Sequence, residues 1–310
     1  MVDLTKRVLT YRNRFLNPSS IEGLETALAW GRWKIINGEA QAYADPNWGP
    51  EKTPFRFGND GLQIVCRQTP TILSDTNMPY TSGALTSRKS FLQQYGYFEI
   101  LAKLPRAGGA FPAFWLLPFD WSDLHAMFPD EHVLSEIDIM EAVKDVHRGI
   151  YYVHAHFRDG NKKLGKRGKA IKTGANLIDE YHRYGLEWNK DYLIFYFDRQ
   201  EVFRVDTPSD MHDKRYWILN YATGSGWSGN PVAADYPDTF DVKDVLVYSG
   251  VDDRSATPIQ EGPRPVILPP NPVPTTTVAP APMTDGDETD PVVIRLTQSQ
   301  LDRLIARLTQ

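Results

Sequence analysis

The stretch S-E-I-D-I-M-E-A-V, from Ser135 to Val143, places three carboxylates, Glu136, Asp138 and Glu141, among aliphatic neighbours. Alternation of acid and aliphatic residues predicts a β-strand with Glu136 and Asp138 on one face. Glu141, at an offset of five from Glu136, should fall on the opposite face. Carboxylates on a strand serve as solvated surface charge, as ligands for a hard cation, or as a paired acid and base. Ile137, Ile139 and Met140 would anchor the other face in a core, so gathering charge outside costs repulsion without a structural return. A hard-cation site draws Asp, Asn or Gly from one tight loop, and no such loop adjoins this strand. The acid–base reading makes a demand on geometry.

In retaining cleavage of a glycosidic bond the two carboxyl groups lie about 5–5.5 Å apart, one protonated and one ionised. Two same-face residues four apart on a strand have Cα atoms about 13 Å apart. Glutamate side chains leaning together close most of that gap. An offset of five works only if one residue is absorbed by a β-bulge, a device that re-aims side chains beside active sites. The sequence therefore predicts a bulge at Ile139–Met140 that turns Glu141 onto the face of Glu136 and Asp138.

The elements around this strand are also strand-like. Y-G-Y-F-E-I-L-A-K-L, G-I-Y-Y-V-H-A-H-F, D-Y-L-I-F-Y-F-D, Y-W-I-L-N-Y-A and D-V-L-V-Y recur with turn residues between them, and Asp198-Arg199-Gln200-Glu201 reads as a hairpin. Many short strands at this spacing predict an all-β sandwich from about Phe15 to Tyr248. The chain has 310 residues, a formal net charge of -5, 41% hydrophobic and 24% charged residues, which fits a globular protein. An acidic balance argues against nucleic acid as a partner, and no apolar run reaches the length of a membrane span. Aromatic residues make up 12%, serving as core or as platforms for planar or sugar ligands. Cys66 stands alone, which excludes an intramolecular disulfide, and L-Q-I-V-C-R predicts a buried structural thiol.

After Tyr248 the composition changes. Ten prolines between Pro258 and Pro291 predict an extended, disordered linker over 251–295. Over 296–310, Thr297 and Gln300 form a capping box, with Leu301, Leu304, Ile305 and Leu308 at helical spacing. So short an amphipathic helix is unstable alone and is expected to dock on its own domain, on copies of itself as a homo-oligomer, or on a partner.

E-I-D-I-M-E resembles the E-x-D-x-x-E signature of glycoside hydrolase family 16 in its bulged form. The resemblance extends through Y-G-Y-F-E-I-L-A-K-L-P, F-P-A-F-W-L-L-P, R-Y-G-L-E-W, W-I-L-N-Y-A-T-G and F-D-V-K-D-V-L-V-Y, in the family's order. P-Y-T-S-G-A-L-T-S-R-K-S-F-L-Q-Q-Y-G-Y-F-E looks most like the family's bacterial exopolysaccharide depolymerases and endo-β-glucanases. The resemblance implies a β-jelly-roll of two curved antiparallel sheets, spanning residues 1–250, with a sugar-binding cleft. It implies Glu136 as nucleophile, Glu141 as general acid/base, and Asp138 between them tuning their protonation. The activity implied is endo-hydrolysis of a β-linked polysaccharide with retention and without a cofactor. A non-catalytic glycan-binding jelly-roll and a transglycosylase are the competing readings.

Supporting residues follow from the same comparison. His156 matches a cleft histidine of the family, and His154 shares its face. The two could form half of a metal site, but no third ligand is in view in the sequence. Trp115 resembles a cleft tryptophan, and Trp227 in G-S-G-W-S-G sits in a loop that cannot easily bury it. Asn220 could reach the cleft, and Trp121 lines either the cleft or a local cluster. Where many members bind a structural calcium, this chain has Arg14 and Lys243, so no metal is expected there. The run from Arg158 to Lys172 holds Lys162, Lys163, Lys166, Arg167 and Lys169 and reads as a loop, either solvated and mobile or overhanging the cleft and attracting an anionic glycan. The N-terminus lacks an apolar core of signal-peptide length. With the linker and helix, this predicts an extracellular or virion-associated protein without a classical signal peptide, the helix serving for attachment.

Overall fold

The computed structural model describes residues 1–26, 38–46, 53–70, 78–119, 135–158, 164–253 and 255–259. Trp121, the helix expected over 296–310 and nearly all of the expected linker lie outside these residues. The first compact unit runs from Met1 to Gln260, where the Ile259 N–H donates to Leu9 O at 3.0 Å. The chain is therefore still hydrogen-bonded to Leu9 about ten residues past the end expected from composition.

The strands of the described residues are numbered in chain order. One sheet has seven: β2 (Glu25–Thr26), β7 (Ala84–Thr86), β9 (Ala110–Pro118), β10 (Glu136–Glu141), β11 (Ile150–Arg158), β12 (Leu164–Lys172) and β16 (Arg215–Thr223). Their order is β12-β11-β10-β9-β16-β7-β2, which puts the carboxylate strand β10 in the interior of the sheet. The other sheet has ten: β1 (Leu9–Asn13), β3 (Gln41–Tyr43), β4 (Phe55–Gly58), β5 (Gly61–Gln68), β6 (Tyr80–Ser82), β8 (Gly96–Lys103), β13 (His182–Trp188), β14 (Tyr192–Phe197), β15 (Gln200–Asp206) and β17 (Asp238–Tyr248). Its central path is β15-β14-β13-β8-β17-β5-β6-β3, with β1 on β17 and β4 on β5. Pairing is antiparallel except for β3 with β6. Among the described residues there is no α-helix. This is the expected jelly-roll sandwich.

Alternation fixes which side chains fill it. Ile137, Ile139 and Met140 of β10, Phe114 and Leu116 of β9, and Tyr151, Val153 and Ala155 of β11 enter one core with Phe98, Ile100, Leu186, Trp188 and Val245 of the other sheet. Cys66 lies in that core and is fully buried. The hairpin between β14 and β15 turns on Asp198 and Arg199, both at positive φ (46° and 64°), the backbone that a two-residue turn needs to match strand twist.

One expectation is corrected. The basic run is not a loop throughout: Leu164–Lys172 is the edge strand β12, paired residue for residue with β11. Its charges then divide by parity. Lys166 and Lys172 share the face of His156, whereas Arg167 donates to Asp206 O at 3.0 Å and Lys169 to Val202 O at 3.3 Å on β15. Basic residues on an edge are a common guard against further strand pairing. At the place read for calcium, Lys243 pairs with Asp60 at 3.1 Å and Arg12 with Asp244 at 2.7 Å.

Candidate active site

Strand β10 carries one residue more than its neighbours. Against β11, Asp138 faces His154 and Glu141 faces Tyr152, three steps on one strand for two on the other. Against β9, Asp138 faces Trp115 and Met140 faces Phe114, two steps for one. The extra residue is Ile139, and it goes into the core with Met140. Glu141 thereby joins Glu136 and Asp138 on the outer face, as the out-of-phase spacing required.

The three carboxyls act on one another. Burial pushes Asp138 well above the usual carboxylate range, and the charges of Glu141 and Glu136 push the same way. Burial also raises Glu136, to about 7, against a hydrogen bond from Asp138 that favours its ionised form. Arg215 and Lys166 pull Glu136 in the same downward direction. So the proton belongs on Asp138, which donates it toward Glu136.

Two histidines of β11 close the group. His154 Nδ1 lies 2.5 Å from Glu141 Oε2, and His156 Nε2 lies 3.4 Å from Asp138 Oδ2. Burial pushes His156 down to about 4, helped by the charges of Lys166 and His154, so its ring is neutral. The His154 ring is stacked at 18° to Tyr152 and sits over Gly168 of β12, where an added Cβ would stand 2.0 Å from its Cδ2.

Aromatic residues flank the acids. Trp227 is 38% exposed; its ring is 4.8 Å from Tyr152, 5.4 Å from Phe111 and 5.9 Å from His154, leaving it open to a ligand. Half-buried Trp115 donates from Nε1 to Asn220 Oδ1 at 2.8 Å, and Asn220 Nδ2 donates to Tyr43 OH at 3.0 Å. The structure thus brings together Glu136, Asp138, Glu141, His154, His156 and Trp227, and holds Trp115 and Asn220 as a bonded pair beside Asp138.

Four contributors escaped the sequence reading. Tyr152 and Tyr43 looked like ordinary strand aromatics. Gly168 had a signal, an isolated glycine in a strand, which marks a close approach, but its strand was read as a loop. Arg215 is fully buried and donates to Ser135 O at 2.6 Å and Ser135 Oγ at 2.5 Å. It pins the first residue before β10, and nothing in K-R-Y-W-I-L announces that. The structure also supplies what the two histidines lacked, a third ligand-type side chain, Asp138.

Known proteins fit this arrangement. An endo-1,3-1,4-beta-glycanase of Rhizobium meliloti is 37% identical over 202 residues, covering 63% of this chain and 40% of that protein. A beta-glucanase of Rhodothermus marinus is 33% identical over 189 residues, covering 56% of this chain and 62% of that protein. The chain therefore spans between about a quarter and two thirds of the length of the curated relatives it matches. A crystal structure of a non-specific endo-beta-1,3(4)-glucanase superposes with a TM-score of 0.68 at 26% identity, over 80% of this chain and 93% of that one. The sequence model for glycosyl hydrolases family 16 matches residues 41–242. That span holds β10, its bulge and both neighbouring strands, and the chain belongs to glycosyl hydrolase family 16.

Proposed function

We propose that this chain is a retaining endo-β-glycanase acting on a β-glucan or a bacterial exopolysaccharide. The observation that carries this reading is the bulge at Ile139, which sets Glu141 on the face of Glu136 and Asp138. In the proposed reaction Glu136 attacks the anomeric carbon while Glu141 protonates the departing glycosidic oxygen. Glu141 then takes a proton from water, which releases the sugar from Glu136. Asp138 favours an ionised nucleophile by donating a hydrogen bond to it. Trp227 and Trp115 offer ring faces to the sugars on either side of the bond. The glucanase relatives support the β-glucan side of the reading.

Lys166 favours a second specification, a glycan bearing acid groups. It lies opposite His156 on β12, its charge acts on Glu136 and Asp138, and its Nζ stands 6.0 Å from the centre of the Trp227 ring. Replacing Lys166 by Gln should raise KM on an acidic polymer and weaken the salt dependence, and leave a neutral β-glucan unaffected.

The deciding experiment is a reducing-end screen over mixed-linkage glucan, β-1,3-glucan and acidic exopolysaccharides, with NMR of the first product anomer. Retention gives the β-anomer first. An inverted product, or polymer cleavage undiminished in Glu136→Gln, overturns the mechanism. Binding without cleavage in the wild type would favour the glycan-binding module, and products longer than the substrate would favour the transglycosylase.

A further inference from the structure

The histidine–carboxylate corner of the site has the makings of a second chemistry. Asp138, His154 and His156 each present one ligand atom, and the three atoms lie within 4.8 Å of one another. Asp138 is 2% exposed, and its Oδ2 is buried without a hydrogen-bond partner. An orphaned buried acceptor is costly, and a cation relieves that cost. His156 is 25% exposed, so the corner is open to solvent. His154 turns its Nδ1 to the Glu141 carboxylate. A carboxylate in that position fixes the tautomer and leaves Nε2 as the coordinating atom.

We propose that Asp138, His154 and His156 form an inhibitory binding site for a transition-metal dication, with Zn2+ the best match. Two imidazoles and one carboxylate suit Zn2+, Co2+, Ni2+ or Cu2+, whereas Ca2+ and Mg2+ require shells dominated by oxygen. Zinc bonds to these ligands run about 2.0–2.2 Å in a tetrahedral arrangement. The donors must therefore close from their present spacing, within 4.8 Å of one another, to about 3.3 Å. Three protein ligands leave a fourth position for water. The ion takes the Asp138 oxygen away from the carboxylate group and sets two positive charges beside Glu136 and Glu141. With Asp138 held by the ion and its proton released to solvent, the hydrogen bond from Asp138 to Glu136 is lost and cleavage stops. Lys166 is the opposing charge, since it acts on Asp138, Glu136 and His156 alike.

Binding is read independently of activity, so it stands or falls apart from the glycanase reading. Co2+ titrated into the full chain should give the visible absorption of a four-coordinate site at one equivalent, displaced by Zn2+ and untouched by Ca2+ or Mg2+. His156→Gln, at a partly exposed position, should abolish that band with an unchanged melting temperature. It should also weaken Zn2+ binding, measured calorimetrically, at least about tenfold. Lys166→Gln should tighten it a few-fold. On the wild type, Zn2+ should block glycan cleavage reversibly, with chelator restoring it. A cobalt spectrum that is six-coordinate, or absent, or a band that survives His156→Gln, overturns the proposal. So does equal inhibition by Ca2+.

Discussion

Glu99 on β8 is fully buried and surrounded by donors: Arg183 at 2.6 Å, Arg199 at 2.9 and 3.0 Å, and the Tyr97 hydroxyl at 2.8 Å. Asp138 on β10, in the other sheet, is as deeply buried and has no arginine hydrogen-bonded to it among the described residues. Its neighbours are two more acids and a histidine held neutral. Both acids lie on the outer face of an interior strand. Glu99 spends its charge on holding β8, β13 and the β14–β15 turn together, and Val2 and Tyr196 pack with Tyr97 beside it. Of the β10 acids, burial raises two, Asp138 and Glu136. The contrast separates a carboxylate that builds the fold from the carboxylates to which the proposed mechanism gives the chemistry.

Exchanging the acids should therefore give opposite results. Glu136→Gln removes the proposed nucleophile and should lower the cleavage rate by at least about a thousandfold, as loss of a nucleophile commonly does. Its melting temperature should hold or rise, because one of three crowded acids has lost its charge. Glu99→Gln should leave the rate per folded molecule intact. It strips two guanidiniums of their counter-charge, and breaking a fully buried pair costs about 3–5 kcal/mol. Each arginine side chain is 32% exposed, so urea denaturation should show a loss somewhat below that range. A Glu99 variant that is stable but inactive would dissolve the contrast.

Glu39 supplies an intermediate case, a buried carboxylate given one neutral partner. Gln41 Nε2 donates to it at 2.7 Å, and burial, only partly opposed by that bond, raises it from 4.5 to about 7. The sign follows from proton counting. Between those two values the folded state holds more protons than the unfolded chain, so stability falls as pH rises through the window. Below it and above it this group contributes no slope. Across the window the loss is up to about 3 kcal/mol. The cleft acids that burial raises tilt the curve the same way, so the measurement is the difference between wild type and Glu39→Gln in denaturation at pH 4.5 and pH 7. The variant should be flatter. An unchanged slope would show that burial does not raise Glu39 in the folded chain.

What the sequence made legible was whatever broke a period. Glu141 fell out of phase with Glu136, and only a bulge could reconcile it with Ile137, Ile139 and Met140 in one strand. Asp198 and Arg199 sat between two alternating runs and became the turn. β12 was illegible for the converse reason. Only Ile171 of its nine residues is buried, so there was no apolar face to show a period, and its lysines read as solvent. Arg215 hid for another reason: a buried guanidinium is justified only by its acceptors, Ser135 O and Oγ, which lie 80 positions away in the chain.

Gly168 joins the illegible strand to the β10 acids and gives the smallest test. It is the seat of the His154 ring, and a methyl there would meet Cδ2 at 2.0 Å and the Val153 carbonyl oxygen at 2.6 Å. The carbonyl cannot move without disturbing the β11–β12 ladder, so the ring must shift off Glu141. Gly168→Ala should cost about 1–3 kcal/mol of stability, the usual penalty for forcing atoms into a packed site. If His154 merely fills space, cleavage per folded molecule will be unaffected and denaturation will carry the whole effect. If it positions Glu141, kcat should fall about tenfold, near 1.4 kcal/mol of barrier, with KM little changed. Gly165→Ala is the matched control, since a methyl there meets the Phe157 ring at 2.5 Å on the same strand, away from the acids. It should lose comparable stability and keep its kcat, so a kcat loss confined to Gly168→Ala assigns β12 a part in the chemistry rather than in the edge alone.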